Sequence, residues 1–362
     1  IHDTEEVRDE LIKIAYGVWD HMKNHGDHGA DNWELDFIGF LPGKRESRRY
    51  VGDYILTQED VESGRQFEDE VAYGGWQIDN HLPGGFAMSG AKGGHLQKKR
   101  LTEPYGIPLR CLHSRNIENL MFAGRNISAS HLAFATTRVM GTCGVMGQAV
   151  GTAAALMAKY HMGIRQLEAE KIRELQDMLM EDDCFLPGIT RKISPLCTAE
   201  TLSVEWGDAS ALLNGTERKI WGNDNGYWGM CNRAITYTFG GKKHISDFRL
   251  IVDSDLDREY TEGNPAVLNI SCTLFRRLDY NYTSFGFPQC MLKAFRVEAL
   301  DDRGQWKTVY ETNNNHQRMI RRPLNVDTTA VRLIPVATYF SEKLGEAAYG
   351  SAQAHIFSFE VR

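Results

Sequence analysis

The fold is decided by residues 119–160, NLMFAGRNISASHLAFATTRVMGTCGVMGQAVGTAAALMAKY. The apolar run at 119–123 is short and is stopped by Gly124, which is typical of a strand buried on both faces of a parallel sheet. After a loop, residues 140–160 are very rich in glycine and alanine and form a predicted helix. The order of strand, loop and helix favours an α/β arrangement.

Four glycines of this predicted helix share one face because they are three or four residues apart: Gly141, Gly144, Gly147 and Gly151. Each costs about 1 kcal/mol relative to alanine in a helix interior. We therefore expect another backbone or a ligand to approach this face closely. The positive end of such a helix suits the pyrimidine edge of a flavin, where negative charge develops on reduction. A small-residue helix packed on a sheet has the same spacing, and by spacing alone it is slightly the better explanation.

Composition limits the class of protein. The chain has 362 residues, of which 25% are charged and 42% hydrophobic, as expected for about two globular domains. Its net charge of −7 argues against a nucleic-acid partner. No apolar run approaches about eighteen residues, so we expect no membrane-spanning helix. The seven cysteines include no CxxC pair, and the histidines near residue 25 lie at a predicted helix end, so we predict no metal site.

The rest of the chain predicts helices first and strands later. Residues 4–25 have apolar positions at helical spacing, and Thr57 with Asp60 forms a capping-box pattern. Beyond about residue 200, short alternating segments separated by turn residues predict an antiparallel sandwich. The predicted strands are 235–239, which is followed by Gly240-Gly241, and 248–252, 294–298, 306–310, 330–334 and 356–361.

Several stretches resemble the C-terminal, flavin-contacting part of bacterial FAD-dependent oxidoreductases related to glutathione reductase. They are 42–54 with 56–60, 74–81, and 123–131 with 137–140 and 147–155. The resemblance covers most of residues 1–190 and implies a partial Rossmann-type α/β domain with FAD as cofactor. It implies an inserted α+β substrate region over about 1–110 and a flavin-contacting strand and helix over 117–160.

The sequence departs from this family in one respect. It contains no GxGxxG, the motif that places the FAD pyrophosphate at a helix N-terminus. Residue 1 falls inside the family pattern, after that motif. We therefore expect the N-terminal FAD-binding half to be a separate or cleaved chain, so that this chain would own only part of the flavin site.

The resemblance also implies site residues. The expected cofactor-binding residues are Gly124, Arg125, Ser128, Gly141, Thr142, Gly144, Gly147 and Gln148. The expected substrate-binding residues are Arg45, Arg48, Arg49 and Trp76. Without the resemblance, arginines beside Glu46 are typical of a salt-bridged surface turn.

Four residues are the catalytic candidates. Asp79 and His81 are two residues apart and share one face of an extended segment, so the carboxylate can orient the imidazole as a general base. His131 and Arg138 lie between the Gly124 turn and the helix. We expect His81 or His131 to take the substrate proton, and Arg138 to stabilise the reduced flavin or a substrate anion. An isolated Asp-x-His pair is more often structural.

Residues 200–362 resemble a discoidin-like, galactose-binding-type jelly roll. The supporting stretches are 209–215, Trp221, Trp228-Gly229, 330–334 and 357–361. The resemblance implies glycan binding through loop aromatics, with Trp221, Tyr227 and Trp228 as candidates to stack on sugar rings. Packing of these aromatics inside the sandwich explains them at least as well.

These patterns together predict a fragment or subunit of an FAD-dependent oxidoreductase. The reaction would transfer a hydride from a substrate CH–OH group to the flavin, with a small-molecule substrate. A sugar-like polyol is favoured because of the sandwich, as is a periplasmic or extracellular location over a cytoplasmic one. The alternative is a non-catalytic glycan-binding protein with a vestigial flavin domain, so at this point enzymatic activity remains an open question.

Overall fold

The computed structural model describes residues 3–25, 27–41, 43, 46–81, 96–101, 103–254, 290–339 and 353–362. The chain divides into two compact units, Ile1–Lys171 and Ile172–Arg362. The first unit combines helices with short strands, and the second is an antiparallel β-sandwich. The predicted fold class, α/β followed by an all-β sandwich, is confirmed.

The described part of the first unit is mainly helical. Its helices are α1 (Thr4–Asp20), α2 (Gln58–Glu62), α3 (His131–Thr137) and α4 (Met140–Tyr160). Its strands pair antiparallel as β1 (Glu70–Gly74) with β4 (Tyr105–Pro108), and β2 (Ile78–His81) with β3 (Leu96–Lys99). A fifth helix, α5 (Ile164–Glu181), begins in this unit and ends in the second.

The helix predicted over 4–25 is confirmed as α1 followed by a π-helical turn at His21–His25. No residue of α1 is buried. Several of its apolar side chains are exposed, with exposed fractions of 47% for Leu11, 55% for Tyr16 and 52% for Val18, whereas Ile14 and Trp19 are partly buried. The amphipathic pattern predicted the helix, but its apolar side is only partly covered by the described part of this unit.

Helix α2 begins at the predicted capping box. The Asp60 N–H donates to Thr57 Oγ1 at 3.2 Å, and the Thr57 N–H donates to Asp60 Oδ2 at 2.9 Å. Burial alone would raise the pKa of Asp60, but hydrogen bonds from Thr57, Tyr54 and Arg65 outweigh it and hold the pKa below its usual value. The box thus fixes both the start of α2 and the charge of a buried carboxylate.

Helix α4, predicted over 140–160, packs on β1 through one face. The residues of that face are buried and lie at helical spacing: Thr142, Met146, Ala149, Ala153 and Leu156. The opposite face contains the four glycines and is exposed. We call the surface formed by Gly141, Gly144, Gly147 and Gly151 the glycine face.

The strand predicted over 119–123 does not form. Only Met121 pairs, in an isolated antiparallel bridge to His113. A parallel strand exists only when neighbouring strands supply hydrogen bonds along its length. Among the described residues, no strand runs beside 119–123, so the apolar run remains an irregular segment in which Phe122 is buried.

The second unit is one antiparallel sheet that curls into two layers. The strands are β5 (Leu202–Val204), β6 (Tyr227–Met230), β7 (Ile235–Val252), β8 (Leu292–Leu300), β9 (Trp306–Thr312), β10 (Met319–Thr338) and β11 (Gln353–Val361). Their order is β6–β11–β7–β10–β8–β9, with β5 also paired to β7. All six strands predicted from alternation lie within these elements.

Two of the predicted strands belong to a single long strand. Gly240-Gly241 do not end the strand, because β7 continues through them. Its pairing with β10 is interrupted there, where the register passes from Thr238 opposite Ala330 to Lys243 opposite Thr328. Residues 240–244 are exposed, whereas the segments on either side face the core. The glycines therefore lie where the strand passes from one layer to the other.

A buried network of charges lies in the second unit beside the apolar core. Arg249 is fully buried and donates to Glu217 Oε1 at 2.6 Å and to Glu217 Oε2 at 2.9 Å. Arg191 donates to Glu217 and to the buried carboxylate of Glu360. Burial alone would raise the pKa of Glu217, but the hydrogen bond and charge of Arg249 and the charge of Arg191 hold it below its usual value.

The substitution Arg249→Met should lower the free energy of unfolding of the second unit by about 3–5 kcal/mol, because it leaves Glu217 buried without its bidentate partner. Urea unfolding followed by tryptophan fluorescence measures this change. The control is Lys242→Met, which breaks a solvent-exposed ion pair with Asp302 and should change the value by less than about 1 kcal/mol. Equal unfolding midpoints for both variants would contradict the assigned role of Arg249.

Candidate functional site

Strand β2 and helix α3 lie against each other and contribute the polar groups of the candidate site. Ser130 caps α3, since its side chain accepts the Ala133 N–H at 3.3 Å. This cap places His131 as the first residue of the helix, with its side chain half exposed. Strand β2 contributes three consecutive polar residues, Asp79, Asn80 and His81.

Arg138 ties the end of α3 to β2. Its Nη2 donates to the backbone oxygen of Asp79 at 2.7 Å and lies 3.7 Å from Asp79 Oδ2. The guanidinium carbon is 5.5 Å from the centre of the Phe134 ring. Only 10% of the Arg138 side chain is exposed. Its contacts within this chain therefore hold the strand and the helix together.

His131 is held at both ring nitrogens. Nδ1 lies 2.8 Å from Glu46 Oε1, and Nε2 lies 3.0 Å from Asn80 Oδ1. Glu46 also accepts a hydrogen bond from Arg49. The imidazole thus connects three segments that are far apart in sequence.

Asp79 and His81 are close but not hydrogen-bonded to each other. His81 Nε2 is 3.6 Å from Asp79 Oδ2. The other carboxylate oxygen, Oδ1, is buried and has no hydrogen-bond partner among the residues described. A buried acceptor without a donor is costly, so this oxygen is a point at which a ligand could donate.

The predicted substrate residues occupy different surroundings. Arg49 pairs with Glu46, and its guanidinium carbon lies 5.8 Å from the centre of the Phe134 ring. Arg48 is exposed, and Arg45 lies outside the described residues. The backbone oxygen of Trp76 accepts a hydrogen bond from the Thr136 hydroxyl, which connects the chain just before β2 to α3.

The predicted cofactor residues on α4 divide between its two faces. Gly141, Gly144 and Gly147 are exposed, and a Cβ built on any of them would have no atom of another described segment within 4 Å. Gln148 is exposed beside them. Thr142 lies on the buried face. The open surface therefore consists of bare helix backbone.

The predicted cofactor residues before α3 also differ in exposure. Gly124 has a φ of +101°, a conformation that side chains rarely allow, so this turn needs glycine. Arg125 is exposed. Ser128 is buried, and its side chain lies 3.1 Å from the position that a Cβ on Gly52 would take. Ser128 therefore packs inside the unit instead of lining the open surface.

Sequence reasoning missed the partners of His131. Glu46 precedes it by 85 residues and Asn80 by 51. Glu46 was visible only as a carboxylate among arginines, and Asn80 only as the residue between Asp79 and His81. No spacing rule connects positions so far apart, so the fold alone reveals this cluster.

In the second unit, the three aromatic residues predicted to stack on sugar rings differ in exposure. Tyr227 is buried, and its hydroxyl donates to the backbone oxygen of Trp206 at 2.6 Å. Trp221 is 42% exposed and Trp228 is 39% exposed. Tyr227 is thus a core residue, while both tryptophans present apolar surface to solvent.

Trp228 is held rigidly although it is exposed. Its ring stacks on the buried His355 with centroids 4.2 Å apart and planes 9° from parallel, and its Nε1–H donates to Asp224 Oδ2 at 2.8 Å. His355 Nδ1 contacts Asp253 Oδ2 at 2.7 Å. One face of the indole is therefore covered by the imidazole.

Two further searches cover the described residues. No group of three or more His, Cys, Asp or Glu side chains is arranged to hold a metal ion. No single helix there is long and apolar enough to cross a membrane, and α3 with α4 passes that test only as a pair bent by 92°.

Sequence comparison finds a family match in the first half of the chain. Residues 1–179 match the family described as FAD dependent oxidoreductase. This part of the chain is similar to members of that family. A search of curated proteins finds no match.

Comparison with solved structures finds similarity to carbohydrate-binding modules. One is the family 32 module of Streptococcus pneumoniae EndoD, with 12% identity, a TM-score of 0.29, and coverage of 45% of this chain and 94% of that one. Another is the family 32 module of C. perfringens NanJ in complex with galactose, with 13% identity, a TM-score of 0.26, and coverage of 44% and 91%. The sandwich architecture of this chain rests on its own strand pairing, described above.

The substitution Thr136→Val should lower the free energy of unfolding of the first unit by about 1–3 kcal/mol. The buried Thr136 hydroxyl lies 3.0 Å from the Tyr105 hydroxyl and donates to the Trp76 carbonyl, so valine removes the hydrogen-bond partner of the buried Tyr105 hydroxyl and the bond to the carbonyl. Thermal unfolding monitored by circular dichroism measures the change. The control is Thr152→Val, whose hydroxyl bonds only within α4, to the Gln148 carbonyl; similar losses in both variants would argue against this role.

Proposed function

We propose that the first unit forms part of the active site of a flavin-dependent oxidoreductase that converts a substrate CH–OH group to a carbonyl. The observation that carries this proposal is the open glycine face of α4. Four glycines cost a helix roughly 4 kcal/mol relative to four alanines. Among the described residues, no packing within 4 Å of these positions requires their small size. Close approach of a ligand to the bare backbone would require it.

The residues present fit FAD. The N-cap residue Val139 makes no side-chain hydrogen bond, and the first turn of α4 contains no acidic residue. The positive end of this helix is therefore available to the electron-rich edge of a ligand. Gly141, Gly144 and Gly147 would lie against the flat ring, and Asp79 Oδ1, which has no hydrogen-bond partner among the described residues, would accept an N–H or O–H from a ligand if a local movement exposed it.

When bound, FAD supplies the acceptor for the hydride that leaves the substrate carbon. The proton of the substrate hydroxyl must then go to a base of this chain, and His131 Nε2 is the proposed acceptor. Asn80, which contacts Nε2, would move aside or share the nitrogen as the substrate enters. Arg138 keeps Asp79 in place through the backbone of β2.

An FAD-binding half would complete this site. The partly uncovered apolar side of α1 and the exposed rings of Trp33, Phe37 and Phe40 form the kind of surface that marks an interface. We propose that a separate or cleaved chain, carrying the GxGxxG that this sequence lacks, covers that surface. Small-molecule alcohols are the proposed substrates, with Arg48 and Arg49 as candidate contacts.

A second proposed function belongs to the sandwich, and the exposed, rigid ring of Trp228 supports it. The free face of the indole would stack on the apolar face of a sugar ring, while the half-exposed Asp224 carboxylate would accept sugar hydroxyls at its edge. Glycan binding favours carbohydrate as the substrate class and an extracellular or periplasmic location. It does not require the first unit to be inactive.

The substitution Gly147→Leu should weaken FAD binding to the site completed by the FAD-binding half at least tenfold, about 1.4 kcal/mol, because the new side chain projects from the glycine face. Quenching of flavin fluorescence during titration with FAD measures this effect. Stability should not fall, since no other described segment comes within 4 Å of a Cβ at this position. Gly163→Leu, at an equally open glycine outside α4, is the matched control, and equal affinities in both variants would contradict the flavin site.

The substitution Trp228→Ala should weaken binding of galactose-terminated oligosaccharides at least tenfold, as measured by isothermal titration calorimetry. Trp206→Ala is the control, because Trp206 is similarly exposed and only its backbone oxygen contacts Tyr227. Trp228→Phe keeps a ring over His355 and should retain part of the affinity. No heat of binding to the unmodified protein across a panel of neutral glycans would rule out this second function.

A further inference from the structure

Glu46 stands out among the residues around His131 because its carboxylate contacts the imidazole directly. Oε1 of Glu46 lies 2.8 Å from His131 Nδ1, and Arg49 donates to that same oxygen. We infer that Glu46 is a positioning residue that keeps the proton of neutral His131 on Nδ1 and the lone pair on Nε2. This inference rests on the proposed function, in which Nε2 receives the substrate proton.

The chemistry of the two groups dictates this tautomer. A neutral imidazole has one N–H and one lone pair, and an ionised carboxylate can only accept hydrogen bonds. A close contact between Nδ1 and Glu46 Oε1 therefore requires the hydrogen on Nδ1. Nε2 then has the lone pair, which is the form that a general base needs.

The Asn80 side chain can form a hydrogen bond with His131 Nε2 both before and after proton transfer. The side-chain amide offers NH₂ donors on one side and an oxygen acceptor on the other, and a rotation of the amide exchanges them. The NH₂ group can donate to the lone pair of neutral His131. Once Nε2 has taken a proton, Oδ1 can accept it, as in the contact of 3.0 Å seen here.

The contact with Arg49 identifies Oε1 as the oxygen of Glu46 that matters. Arg49 is only a donor, and its Nη1 contacts the same oxygen that contacts His131. A glutamine at position 46 would therefore place its amide oxygen at the Oε1 position, because its NH₂ group would meet the arginine unfavourably. Glu46→Gln should then preserve the tautomer, whereas Glu46→Ala removes the acceptor altogether.

The test is the ¹⁵N spectrum of the histidine side chains in the full chain at about pH 8, where an ordinary histidine is neutral. His131→Asn identifies the signals of His131 among the twelve histidines. We expect the Nδ1–H form in the unmodified protein and in Glu46→Gln, and a shift towards the Nε2–H form in Glu46→Ala. The control Glu59→Ala removes an exposed carboxylate in α2 and should leave the signals unchanged.

The Nδ1–H form persisting in Glu46→Ala would overturn the inference, as would the Nε2–H form in the unmodified protein. Turnover tests the proposed function separately. With the site completed and FAD bound, Glu46→Ala should lower kcat at least tenfold with less than a twofold change in KM, and Glu46→Gln should restore most of it. A changed tautomer with unchanged kcat would uphold the positioning role and remove His131 from the reaction.

Discussion

The glycine face of α4 is the constraint on which the first unit depends. A helix face without side chains has little apolar area to bury, so α4 is held through its opposite face, where Met146, Ala149 and Ala153 are buried and the helix lies on β1. The bend of 92° between α4 and α3 turns the chain towards β2. As a result, α4 contributes a flat surface, while α3 and β2 contribute the polar groups.

Ion pairs and hydrogen bonds, more than apolar burial, hold those polar groups in position. Glu46 lies between Arg49 and His131, and Arg138 reaches the backbone of β2 at Asp79. Both arginines also lie over the ring of Phe134, so one buried aromatic residue of α3 supports two cations. This arrangement connects the segment around residue 46, β2 and α3 into one cluster, which is why the candidate site has defined geometry despite its exposure.

Local patterns in the sequence predict local structure well here, and they fail where structure depends on neighbours. The capping box at Thr57 and the glycine spacing of α4 involve residues within a few positions, and both appear as expected. The strand expected at 119–123 would need adjacent strands, which the described residues do not provide. Gly240-Gly241 resembles a turn in isolation, yet β7 continues through it with an irregularity in its pairing to β10.

In the candidate site, too, the sequence predicts individual residues but not the contacts between distant ones. The residues expected from the family resemblance include Asp79, His81, His131 and Arg138, and the fold brings them to the contact between β2 and α3. Glu46 and Asn80 were invisible as partners of His131, because only the folded chain brings positions 85 and 51 residues away beside it. The sequence likewise could not show that, of two aromatic residues in β6, Tyr227 is buried and Trp228 is exposed.

The position of β11 has a consequence for biosynthesis. This strand, the latest of the sheet in sequence, inserts between β6 and β7, and its Glu360 meets Arg191 in the buried charge network. While the polypeptide is still emerging from the ribosome, β6 and β7 therefore lack the strand that joins them, and Arg191 has Glu217 as a partner but not yet Glu360. The complete strand order of the sandwich can therefore form only after residue 361 has been translated, and chains arrested earlier would lack the strand that joins β6 to β7.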